Sequence, residues 1–128
     1  MCVSKWFKKT IISLLLCLAC ASLFGAEPYV EKAYKQLDVA FEQKSKSELS
    51  SVLLTYVDDK FYYLIEYYAK KKVRRLVLEN NYTFAIDAIY IIIDINLDSG
   101  YEDDNAIEMY RAITDAYALY KKKNKIPK

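Results

Sequence analysis

Histidine is absent from all 128 residues. That removes the commonest general base and the commonest metal ligand. Ser-His-Asp, His-zinc and haem-His chemistry go with it. Cysteine is scarce and badly placed for use: Cys2, Cys17 and Cys20 all fall in the first 20 residues. Beyond them the chain has no thiolate for a metal and no disulfide to staple a core. Glycine and proline number two each, and past residue 26 only Pro28, Gly100 and Pro127 remain. Sheet-rich domains need turn residues at frequent intervals, whereas helices do not. The expectation is an all-α fold of four to five antiparallel helices, packed as helical hairpins or a small bundle.

Long apolar runs are missing as well, with one exception. Thr10 to Phe24 is uncharged over 15 residues. As a helix it reaches about 22 Å, short of the ~30 Å hydrocarbon core of a bilayer. Lys5, Lys8 and Lys9 precede it, and Ala19, Ala21, Ser22, Gly25 and Ala26 lie at its end. A positive start, an apolar middle and a small-residue end are the order of a secretory signal peptide. Residues 1–26 therefore read as a signal and 27–128 as a single α-helical domain. Cleavage fits before Ser22, after Ala19-Cys20-Ala21, or before Glu27, where the apolar run ends. Leu18-Ala19-Cys20 resembles the end of a bacterial lipobox, which implies the alternative of a lipoprotein modified at Cys20. Cys17 and Leu18 depart from that pattern. The expected location is exported, in the periplasm first, with a membrane-anchored lipoprotein or a secreted protein as alternatives.

Removal of the signal changes the charge. Lys5, Lys8 and Lys9 leave, so Lys plus Arg falls from 19 to 16 against 17 acids, and the net charge moves from +2 to −1. The basic character belongs to the signal and points to no nucleic-acid partner.

Apolar periodicity then divides the remainder. Pro28 suits a first helical position, and Val30, Ala33, Tyr34, Leu37, Ala40 and Phe41 follow at helical spacing. Ser45-Lys46-Ser47-Glu48 has the form of a capping box and starts a second helix with Leu49, Val52, Leu53, Tyr56 and Val57 on its apolar face. Asp58-Asp59 suggests a break before a third segment bearing Phe61, Leu64, Ile65, Tyr68, Val73, Leu76 and Val77. Asn80-Asn81 ends that segment. Residues 82–97, YTFAIDAIYIIIDINL, have the isoleucine content of a strand but are too long for one. They read as a central helix with one polar stripe, closed by Ser99-Gly100. Asp103-Asp104-Asn105 opens a last helix, and Lys121-Lys122-Lys123 close it, each charge suiting the helix dipole.

Three constellations offer function. Tyrosine is over-supplied: all 13 lie beyond residue 26, and tyrosine is enriched at interfaces because its body is apolar and its tip polar. Tyr62, Tyr63 and Tyr67, with the basic residues Lys70, Lys71 and Arg74 beside them, form a candidate partner-binding face. Neighbouring helical positions differ by about 100°, so Tyr62 and Tyr63 cannot share one direction. Glu66 lies where it can pair locally with the basic run. Second, DINLDSGYEDDN resembles a calcium loop, with Asp94, Asn96 and Asp98 at ligand positions one, three and five, but Ser99 stands at six and Asn105 at twelve. Third, Asp87 and Asp94 are a distant carboxylate pair for a hydrolase, with no nucleophile or base beside them.

No catalytic residue and no cofactor is expected. The expected role is protein–protein binding to other envelope proteins, as an adaptor or an assembly or accessory subunit. The alternatives are the Cys20 lipoprotein with the same role, the calcium-dependent module of residues 94–105, and the carboxylate hydrolase.

Overall fold

A computed structural model of the chain describes residues 28–124. The signal segment, its cleavage positions and Cys20 lie outside the described residues. The chain divides into two compact units, Met1–Lys32 and Ala33–Lys128. Of the first, only the opening turn of a helix is described.

Among the described residues there are five α-helices and no strand: α1 Pro28–Glu42, α2 Lys46–Tyr56, α3 Tyr62–Leu78, α4 Tyr82–Asp98 and α5 Asp104–Asn124. None is long and apolar enough to cross a membrane. The isoleucine-rich segment is helix throughout, so length outweighs β-propensity there. Its buried residues share one broad face: Phe84, Ala85, Ala88, Ile89, Ile92 and Ile95 are all buried, while Tyr90, Asp94, Leu97 and Asp98 on the other side are exposed. In consequence α4 packs against α2, α3 and α5. Leu49 and Leu53 from α2, Ile65 and Val73 from α3, and Ile113 from α5 are buried with it. Each such side chain contributes about 1.5–3 kcal/mol when fully buried.

The turns show why so little glycine suffices. The Ser45 side chain accepts a hydrogen bond from the Glu48 amide at 3.1 Å, which is the N-cap half of a capping box. Between α2 and α3 the expected break is present: the Asp59 carboxylate accepts from the Phe61 amide at 2.8 Å. Three helices end in the same left-handed device. After α4, Gly100 has φ +89°, and the Tyr101 amide reaches back to the Asn96 carbonyl at 2.8 Å. After α3, Asn80 takes φ 62°, and the Asn81 amide donates to the Leu76 carbonyl at 2.8 Å. After α1, Lys44 takes φ 50°, and the Ser45 amide donates to the Ala40 carbonyl at 3.0 Å. Asparagine tolerates that backbone region. Lysine occupies it only because those hydrogen bonds and the next helix hold it there.

Candidate functional site

The tyrosine-rich helix α3 presents two different stripes. Tyr62, Glu66 and Lys70 follow each other at steps of four and so share a face. That face turns inward. Tyr62 is 6% and Lys70 5% exposed. Both were expected on the partner face, and burial corrects that reading: each sits where α3 meets α4 and the turn before α5, and each finds its polar partners inside.

Those partners form one network. The Tyr62 hydroxyl donates to Asn96 Oδ1 at 3.0 Å. Asn96 Nδ2 in turn donates to Glu66 Oε2 and to Asp103 Oδ2 at 3.1 Å. Lys70 Nζ donates to Asp103 Oδ2 at 2.7 Å and to Asn105 Oδ1 at 3.2 Å, and pairs with Glu66 Oε1 at 3.3 Å. Asp103 Oδ1 accepts from the Ala106 amide at 3.0 Å, capping α5. No buried side-chain polar atom among the described residues lacks a partner.

Here one ammonium serves two carboxylates. Burial raises the pKa of both, but Asp103, the closer to Lys70, receives the stronger hydrogen bond and ends below its ordinary value. Glu66 ends above its ordinary value, because burial outweighs Lys70 and Asn96 and because Asp103 repels its charge. Burial first, then Glu66 and Asp103, push the Tyr62 phenol up, which keeps it a neutral donor. Over this network lies a cleft of about 420 Å³, walled by Tyr63 and Tyr101 and lined by Asp58, Asp59 and Glu102.

The second stripe of α3 faces solvent. Tyr63 is 62%, Tyr67 58% and Leu78 84% exposed. Lys71 and Arg74 are exposed between them. Tyr63, Tyr67, Lys71, Arg74 and Leu78 are spaced by four, four, three and four, which is one continuous helical face. Lys71 Nζ stands 5.7 Å from the Tyr67 ring centroid, and Arg74 Nη2 is 3.8 Å from the Met109 sulfur. Four of the six residues of the expected face are therefore together, and Leu78 joins them. Its signal was its phase, four residues beyond Arg74.

Beside this stripe Tyr68 stacks on Tyr34 with ring centroids 4.3 Å apart. Its hydroxyl donates to Asp38 Oδ1 at 2.7 Å, and Lys72 Nζ lies 2.6 Å from the same oxygen. Burial pushes Asp38 up, but hydrogen bonds from Lys72 and Tyr68 more than offset it and hold the carboxyl below its ordinary value. The bond to Asp38 and burial carry the Tyr68 phenol up to about 12.

The calcium reading is corrected. Asp94, Asn96 and Asp98 all lie within α4, so residues two apart point about 200° away from each other. Asp94 and Asp98 are exposed, while Asn96 is 1% exposed and engaged in the network. No group of three or more carboxylates among the described residues is placed to hold a metal ion. Asp87 is half-buried and Asp94 exposed on α4. Neither makes a side-chain hydrogen bond or ion pair with the described residues.

Compared with family models, with characterised proteins and with solved structures, the chain matches none.

Proposed function

We propose that this chain is a small exported bacterial envelope protein that acts by binding another protein, as an adaptor or an assembly or accessory subunit. It works as an antiparallel helical body freed from its signal, and catalysis is no part of its role. The observation that carries the reading is the outer stripe of α3. Two tyrosines more than half exposed and the exposed Leu78 stand in one line with Lys71 and Arg74. Aromatic residues flanked by arginine are the composition of binding hot spots. The cations there select an acidic segment of the partner, because potentials across an interface are complementary. The inner stripe holds the helix in place and leaves the outer one free to bind.

A site-specific photocrosslinker tests this in the protein's own host. Placed at position 67, it is expected to give one adduct of defined mass. Placed at Glu108, exposed on α5, it is expected to give none. Equal adducts from both positions, or no adduct from 67, would remove the α3 face from consideration.

The intact mass of the mature protein tests the export half. A start at Ser22 or Glu27 is the expected result, a start at acylated Cys20 makes it a tethered lipoprotein with the same role, and an uncut chain contradicts export.

A further inference from the structure

A second cleft, of about 430 Å³, lies away from the α3 stripe. The turn after α1 supplies Lys44, the α3–α4 turn supplies Asn81, the start of α4 supplies Tyr82 and Asp87, and α5 supplies Tyr117 and Tyr120. Its volume is in the range of small-molecule sites. The three tyrosines form one cluster: the Tyr82 ring stacks on Tyr117 at 5.3 Å between centroids and lies 5.1 Å from Tyr120. The Tyr82 hydroxyl reaches Asn80 Oδ1 at 3.5 Å, and Lys121 Nζ stands 4.4 Å from the Tyr117 centroid. The aromatic wall is thus fixed from several sides. Three polar groups that line the same groove are not used. Among the described residues, no hydrogen bond or ion pair engages the side chains of Lys44, Asn81 or Asp87.

We propose that this groove binds a neutral saccharide. A pyranose ring has an apolar face of C–H groups and a rim of hydroxyls. The negative faces of tyrosine rings attract the first. The second both donate and accept, which matches the mixed set lining the groove: Asp87 only accepts, Lys44 only donates, and Asn81 does both. A purely apolar guest would cover those groups and leave them unpaired, at a cost. A polyproline segment, the other common guest of aromatic grooves, offers carbonyl acceptors but no backbone N–H for Asp87. A free sugar and a segment of a glycan chain share the required chemistry.

The test uses protein purified from its host with 13C-labelled tyrosine rings. It is titrated with glucose, N-acetylglucosamine, cellotetraose and chitotetraose, and separately with decaproline. The expected result is a saturable shift of the Tyr82 and Tyr120 ring signals with at least one saccharide, while Tyr63 stays put. Tyr120→Ala and Asp87→Ala should each weaken that binding by about tenfold or more, with helical circular dichroism unchanged. Asp87 is only half-buried and holds no partner among the described residues, so its variant carries the test even where Tyr120→Ala unfolds. A tetrasaccharide binding much tighter than its monosaccharide identifies a glycan chain as the source, and equal binding identifies a free sugar. The proposal is overturned by no saturable shift up to tens of millimolar, by binding that survives Asp87→Ala unchanged, or by decaproline saturating the same rings.

Discussion

Along α3 like residues stand next to each other and meet opposite fates. Tyr62 and Lys70 are 6% and 5% exposed, whereas Tyr63, one residue on from Tyr62, is 62% exposed, and Lys71 beside Lys70 is exposed. Tyrosine and lysine stand on both stripes, so the residue type alone does not decide their roles. Helical phase does, together with what waits across the interface. On the inner stripe every polar atom has a partner, from Asn96, Asp103, Asn105 or the stripe itself. On the outer stripe the tyrosine bodies and the cations are left to solvent. The lesson is that a tyrosine- and lysine-rich helix can be half structural and half available for binding, and the two halves must be perturbed separately.

The largest expected effect separates the lysines. Lys70→Met leaves Glu66 and Asp103 facing each other with no cation, and removal of one member of a buried ionic cluster costs about 3–5 kcal/mol. Lys71→Met removes an exposed charge and should stay within about 0.5 kcal/mol. Urea unfolding of the two variants measures both, and equal destabilisation would mean that the inner stripe is not the structural one. The tyrosines give the next contrast. Tyr62→Phe strands the buried Asn96 acceptor, at about 1–3 kcal/mol, while Tyr63→Phe should cost nothing measurable by the same method.

The smallest effect is in pH. Glu66 is faced by Tyr62 and Lys70 on its own helix, by Asn96 from α4 and by Asp103 from the turn before α5, with Tyr101 lining the same cleft. Its pKa is raised above the ordinary 4.5, so its folded carboxylate ionises less readily than its unfolded one. It subtracts stability at neutral pH, and that loss is recovered as pH falls through the raised value toward the unfolded one. Asp103 is lowered from 3.8. Its contribution is present above that value and is lost only as pH falls through the folded pKa. Glu66→Gln does not titrate. The melting temperature of the parent relative to Glu66→Gln should therefore rise as pH falls from neutral toward the ordinary glutamate value of 4.5. A relative fall over that range would place the shift on the wrong carboxyl.

Much of the fold was legible because helix periodicity and caps are local. Ser45 to Glu48, the Asn80-Asn81 stop and the Gly100 cap could each be read from a few neighbouring residues. The break at Asp58-Asp59 was legible too, since an aspartate can bond the chain two residues on. The left-handed Lys44 was not, because nothing in lysine marks that conformation. The site was legible only in part. The tyrosines and cations named the right helix, but Tyr62 and Lys70 turned inward because of residues about 33 positions away, at Asn96 and Asp103. Spacing alone does not reveal such pairings. One clue was present: Asn96 continues the Ala88, Ile92 ladder of four, so a polar residue stood in a core position and needed partners there. Reading it as a calcium ligand mistook a helix for a loop.

The central claim is that the outer stripe of α3 binds an acidic partner while the inner stripe holds the fold. The most direct measurement is the adduct yield from a photocrosslinker at position 67, compared between the parent and the Lys71→Glu/Arg74→Glu variant, with the melting temperature of each. The expected result is a yield lower by about tenfold or more, as loss of a hot-spot pair gives, at an unchanged melting temperature. An undiminished yield from the charge-reversed variant would contradict the account.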